Sequence, residues 1–276
     1  MASLFIVLTS SLAKESGNIF HPIEILFFRH LFGLLSIFIF IFIFIVIIRK
    51  FNLLQTKSIR SHGLRAILGS LAIFFMFYSV QYLSITEATS LFFLAPLFVS
   101  IISYPLLKEK VGLYKGSFII VGLIGALIIL QPEYISSVTG AVMAILAAIF
   151  SGLGMICLRW IGKTEDAITT IFYYALIGAL LTLPALPFFW IMPNNEELLI
   201  LISIGILSSI LQYFFTKSFI HLPANVAGAM IYMQIIWAII IDLVIWGILP
   251  SWVIIIGASI IICSNLFILK KESKAH

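Results

Sequence analysis

Charge is scarce in this chain. Aspartate, glutamate, lysine and arginine together make up 10% of its 276 residues, where a soluble domain carries about 25%. With 62% of positions hydrophobic, no water-bounded core could hide the isoleucine and phenylalanine, so the bilayer must be the solvent. Cysteine is scarcer still: Cys157 and Cys263 lack CxxC spacing and lie within apolar runs. That excludes a thiolate metal cluster or a disulfide framework and leaves small buried hydrophobes. The five histidines, His21, His30, His62, His221 and His276, are scattered. No GxSxG, HExxH or P-loop sequence occurs, so the usual signatures of serine hydrolysis, zinc proteolysis and nucleotide-driven pumping are missing. The net charge of +5 is no nucleic-acid signal, because in such a chain the placement of charge matters more than its size.

What is present is a regular series of apolar runs. The stretch from Arg65 to Gln131 holds three of them, separated by polar breaks at Ser84–Glu87 and Lys108–Lys115. Each is about long enough to cross ~30 Å of hydrocarbon as a helix. Along the whole chain the runs predict ten spans, at about 2–14, 22–48, 64–83, 87–107, 113–131, 138–159, 167–190, 198–219, 224–248 and 252–269. The first lacks a basic start and is followed by many spans, so it reads as a short or partly truncated span rather than a secretory signal. The FIFIFIFIVII tract of the second alternates like a strand, but its length favours a helix. Pro96 falls inside the fourth span, where it would free the Phe92 carbonyl and loosen the helix.

With both termini cytoplasmic, every lysine and arginine except Lys14 and Arg29 falls at or near the inner surface, as the positive-inside rule requires. The segments Gly69–Ile129 and Gly205–Ile268 also share a plan, about half a chain apart. Five spans per half is an odd number, so the second half enters from the opposite face. Residues 1–134 and 135–276 are thus expected to be two inverted repeats with a substrate site between them near mid-membrane. The fold class is an all-α membrane protein of ten transmembrane helices.

The stretches IEILFFRHLFG, LRAILG, ITEATSLFFLAPLF, LLKEKVGLYKGSFIIVGLIGALIILQP and YMQIIWAIIIDLVIWGILPSWVIIIGASIII resemble the EamA-type drug/metabolite transporters, over essentially the whole chain. Within that superfamily the chain is similar to the branch that includes S-adenosylmethionine uptake carriers. The resemblance implies ten spans, two inverted halves, cytoplasmic termini and no pump domain. Two departures loosen the link to one substrate. Gly247-Ile248-Leu249-Pro250 stands where that branch commonly has a glutamate before the proline, although Glu109 keeps the first-half counterpart, and Ala229 replaces a proline ahead of Tyr232.

Candidate site residues follow from polar groups in apolar runs. Arg29, five residues after Glu24, needs a partner or a wet cavity. Its fork suits a carboxylate or other anionic substrate group, and the bland alternative is snorkelling to the headgroups. Asp242 reads as a proton carrier or a partner for a cationic substrate, or as a structural acceptor for Ser251, Trp252 or a neighbouring helix. Pairing of Arg29 with Asp242 across the halves would make an outer gate. Tyr232, Gln234 and Trp237 supply apolar faces and a polar group within two turns, suited to cation–π contact with a sulfonium or amine. Tyr78, Phe92, Pro96 and Tyr173 complete the expected substrate-binding set. Small residues at Gly140, Ala144, Ala148 and Gly152, and at Gly122 and Gly125, mark close helix packing, and a homodimer along such a stripe is compatible with them.

Together these features predict a bacterial inner-membrane secondary transporter without a cofactor or nucleic-acid partner. It would move a small polar metabolite, such as S-adenosylmethionine or an amino-acid or nucleoside-like compound, by alternating access. The second to fourth and seventh to ninth spans would line its cavity. An exporter of amino acids or drugs is the nearest alternative. A membrane scaffold would instead have a dry interior, and an intramembrane enzyme a nucleophile–base or metal constellation.

Overall fold

The computed structural model describes residues 2–48, 54–56, 58–107, 113–130, 135–162, 164–221 and 234–272. Its helices are α1 (Ala2–Ser16), α2 (Pro22–Ile48), α3 (Ile59–Tyr82), α4 (Ile85–Phe92), α5 (Ala95–Leu107), α6 (Leu113–Ile129), α7 (Val138–Ile161), α8 (Ala167–Thr182), α9 (Asn195–His221), α10 (Gln234–Trp246) and α11 (Trp252–Glu272). Five helical segments, Pro22–Ile39, Ile59–Tyr82, Val138–Ile161, Ala167–Phe188 and Asn195–Ser218, are long and apolar enough to cross a bilayer. The phenylalanine–isoleucine tract is helical, and the first predicted span is a helix packed against α9 and α10.

Among the described residues, two predicted spans are interrupted, each close to prolines. The fourth does not bend at Pro96; it breaks into α4 and α5 at Phe93–Leu94. Pro96 then sits in the first turn of α5, where its missing N–H is no loss. The seventh ends its α-helix at Thr182, and Leu183–Phe188, which contains Pro184 and Pro187, continues as a 3₁₀ turn.

Several helix starts carry side-chain caps. Ser84 and Glu87 form a reciprocal capping box at α4, Ser137 caps α7, and Asn194 accepts from the N–H groups of Glu196 and Glu197 at α9.

The Gly140–Gly152 stripe of α7 packs as its spacing predicts. Gly140 lies against Tyr82 and Leu83, Gly152 lies against the Ala95 carbonyl, and Ala144 and Ala148 are buried. The α6–α11 crossing is closer still. A Cβ on Gly257 would come within 2.7 Å of the Gly125 carbonyl oxygen, and one on Gly125 within 2.9 Å of the Gly257 carbonyl oxygen. Backbone cannot withdraw as a flexible side chain can. Gly257→Ala should therefore destabilise the fold by about 1–3 kcal/mol, read as a lowered midpoint of thermal unfolding in detergent.

Candidate functional site

A cavity of about 90 Å³ lies in the centre of the bundle. Side chains reach it from α1 (Ile6, Thr9, Ser10), α2 (Arg29), α3 (Arg65, Gly69, Ala72, Ile73, Met76, Phe77), α4 (Phe92), α7 (Ser151, Met155), α8 (Tyr174), α9 (Leu211, Gln212, Phe215) and α10 (Gln234). The helices at the first and sixth predicted spans contribute as well as the six expected ones. None of the described lining residues comes from α6 or α11, which pack on each other.

Its polar centre is a cation–aromatic stack. Arg29 and Arg65 are 2% and 7% exposed, and their guanidinium carbons lie 5.8 and 4.8 Å from the centroid of the Tyr174 ring. Arg29 Nη1 donates to the Tyr174 hydroxyl at 3.3 Å. The Nε and Nη2 of Arg29 and the Nε of Arg65 have no hydrogen-bond partner within the protein. Gly69 makes the stack sterically feasible, since a Cβ there would collide with the Arg65 guanidinium and come within 2.6 Å of Tyr174 Cε2. Behind Tyr174, His30 packs edge-on at 5.1 Å and shares a 3.0 Å hydrogen bond with Ser70. Across the cavity, Gln234 is 1% exposed, and both its amide oxygen and its nitrogen lack partners. Among the described lining residues there is no aspartate or glutamate.

The residues singled out by sequence are therefore distributed unevenly. Arg29, Phe92 and Gln234 meet in this cavity. Tyr78 lies in a separate groove of about 510 Å³ with His21, Gln81, Tyr82, Phe189 and Trp190, at the end of the bundle carrying residues 17–21 and 183–191. There the His21 ring stacks 3.9 Å from Phe189, and burial pushes its imidazole below the usual histidine value. Tyr173 lies away from the cavity. Its hydroxyl donates to the Leu54 carbonyl at 3.0 Å, and its ring stacks 5.0 Å from His62. Trp237 packs against the main apolar core. Pro96 belongs to the first turn of α5, and Tyr232 lies outside the described residues. Arg65, Tyr174 and Gln212 join the cavity instead.

Asp242 does not pair with Arg29. Fully buried, it accepts from the backbone N–H groups of Ile85 and Thr86 at 3.1 and 2.7 Å and from the Thr86 hydroxyl at 2.6 Å. It thus caps the start of α4 from α10, where a helix N-terminus favours negative charge. The same turn is held elsewhere. Glu87 accepts from the N–H and hydroxyl of Ser136, each at 2.9 Å, and Lys14 donates to the Leu83 carbonyl while lying 5.1 Å from the Trp246 ring. Gly247, with φ of 66°, ends α10 in the left-handed conformation, and the Ile248 N–H bonds back to the Asp242 carbonyl. Glu24 also serves structure, accepting from the Ile191 N–H at 3.2 Å.

A membrane bundle that encloses a small polar-lined cavity reached from eight helices has the build of a solute carrier. The EamA-like transporter family matches this chain at residues 1–131 and again at 138–270, and the chain belongs to that family. Among its relatives, the S-adenosylmethionine uptake transporter of Rickettsia prowazekii is 30% identical, covering 99% of this chain and 92% of that protein. Solute carrier family 35 member G1 of Homo sapiens is 28% identical, covering 95% and 77%, and a Helicobacter pylori protein described as an uncharacterized transporter is 28% identical, covering 97% and 92%. A crystal structure only 19% identical superposes with a TM-score of 0.67 over 96% of this chain and 93% of that one, which supports the fold.

Removing the α4 cap strands two buried N–H groups. Asp242→Ala should cost about 2–3 kcal/mol of stability and Asp242→Asn, which keeps a carbonyl acceptor, roughly half of that. Thermal unfolding of the purified variants reads the difference, and the order Ala below Asn below wild type is the expected one.

Proposed function

We propose that this chain is a secondary transporter that carries a small polar metabolite across a bacterial inner membrane by alternating access. Both termini would be cytoplasmic, and residues 1–134 and 135–276 would be inverted halves. The observation that carries the reading is the central cavity, which collects unpartnered polar groups from the first-half helices α2 and α3 and the second-half helix α10.

Two further features support the inverted repeat. The family matches the chain twice, once in each half. Helix packing also occurs in exchanged couples, as an in-plane two-fold axis requires. Under the correspondence of α1, α2, α3, α4 and α6 with α7, α8, α9, α10 and α11, the packing of α3 on α7 has its counterpart in α9 on α1. Likewise α4 on α7 matches α10 on α1, and α2 on α9 matches α8 on α3, while α2–α8, α4–α10 and α6–α11 are each their own counterpart. Repeats related this way place the substrate at their seam.

The cavity is smaller than the roughly 150 Å³ that holds a benzene molecule, so a metabolite requires the halves to separate at one end. The groove around His21, Tyr78 and Phe189 would be the outer vestibule, and the ties that Lys14, Asp242 and Ser136 make to residues 83–87 would form the outer seal. The names of the Rickettsia relatives make S-adenosylmethionine the first ligand to test. Its carboxylate suits the arginines and its sulfonium an aromatic face.

The cavity can be blocked without touching its polar groups. Ala72→Leu should abolish counterflow of a transported metabolite in proteoliposomes, at least tenfold, while thermal unfolding stays within a few degrees of wild type. Unchanged flux through a folded Ala72→Leu protein would remove the cavity from the transport path.

A further inference from the structure

We infer that the cavity is an anion site built for a carboxylate-bearing metabolite, and that the carrier works as an exchanger because its empty form cannot readily cross. The inference rests on the transport reading and adds the substrate's charge and the mode of flux.

The first part follows from charge. Arginine does not lose its proton in a protein, so Arg29 and Arg65 bring two permanent positive charges to one small space. Among the described lining residues no carboxylate answers them. The Tyr174 ring lies 5.8 and 4.8 Å from them, but a neutral ring compensates a desolvated cation only in part. Three of their N–H-bearing nitrogens remain without partners. A buried cation that cannot titrate and has no internal counter-ion requires one from outside.

The geometry favours carboxylate. A guanidinium presents a planar fork matched to two carboxylate oxygens, and two forks about one tyrosine can hold one carboxylate between them or two on one ligand. Much of the remaining wall is apolar, with Ile73, Met76, Phe77 and Leu211, while Thr9, Ser10, Ser151 and Gln212 add polar groups, and Gln234 supplies an unpartnered amide oxygen and nitrogen. The ligand is then a small organic molecule with an anionic end, an apolar body and a second polar group. A solute whose only charge is positive has no counter-charge here.

The second part follows from what alternating access demands. Between the two open forms the cavity must close to water. Loaded, it closes over guanidiniums neutralised by the substrate. Empty, it closes over two uncompensated cations and loses the water that solvated them. Each tenfold slowing of the empty return needs only about 1.4 kcal/mol of that desolvation. No carboxylate in the described lining can take up a proton to change this balance. Substrate therefore has to ride in both directions.

The test uses the purified full-length protein in proteoliposomes with labelled malate, glutamate, alanine, S-adenosylmethionine and a sugar phosphate. Binding is followed separately by thermal shift in detergent. Wild type should transport one or more of the carboxylates, with exchange into preloaded vesicles at least tenfold faster than net uptake into empty ones. Arg29→Gln and Arg65→Gln should raise KM at least tenfold and, by removing a buried charge, narrow the gap between exchange and net uptake. Arg29→Lys, which keeps the charge but not the fork, should raise KM and leave the gap. Net uptake as fast as exchange in wild type overturns the exchanger inference. Selective transport of the sugar phosphate, or carboxylate transport with unchanged KM in folded Arg29→Gln and Arg65→Gln proteins, overturns the carboxylate site while leaving the carrier reading intact. Arginine-dependent thermal stabilisation by carboxylates without flux of any solute overturns the carrier reading and leaves the site.

Discussion

Two permanent positive charges sit buried in the middle of the bundle, and the packing around them serves to make that tolerable. Arg29 and Arg65 approach the Tyr174 ring from α2 and α3, and Gly69 leaves the space that Arg65 and Tyr174 occupy. His30 and Ser70 hold the far side of the tyrosine. In water such a cluster would be unremarkable. In a low-dielectric interior each uncompensated charge costs several kcal/mol, so the cluster dictates what else the cavity can contain.

The buried acids have the opposite character. Asp242, Glu87 and Glu24 are each spent on backbone N–H groups at helix starts or turns. With no water in the hydrocarbon, the open ends of broken helices must be satisfied from within the protein. The acids therefore hold the scaffold, while the unpartnered arginines and glutamine face the space where a solute would lie.

The fold was largely legible, because apolar runs of bilayer length and the breaks between them are set by the solvent. The site was legible only in part. Arg29 stood out as a cation inside a long apolar run. Arg65 did not, because it follows Arg60 and His62 and reads as inner-surface charge. The helix begins at Ile59, which carries Arg65 about 9 Å inward at ~1.5 Å per residue. Tyr173 and Tyr174 are adjacent on a helix that is apolar on every side, so its pattern gives no azimuth. They point to different neighbours, one to Leu54 and His62 and the other to the arginines. Asp242 was conspicuous for the right physical reason, burial of an acid. Its partner lies 157 positions away at a helix start that only the folded chain brings near.

The break between α4 and α5 has a mechanical meaning. The eight residues Ile85–Phe92 form a stub about 12 Å long at ~1.5 Å per residue. It is pinned at one tip by the Asp242 carboxylate and places the Phe92 ring in the cavity wall at the other. The Phe93–Leu94 turn interrupts the regular helix between the stub and α5, so a tilt of the stub would strain fewer helical bonds than a bend in a continuous rod. Under the transport reading, a displacement at the pinned tip would reach the cavity through this stub, a short lever from one end of the bundle to its middle.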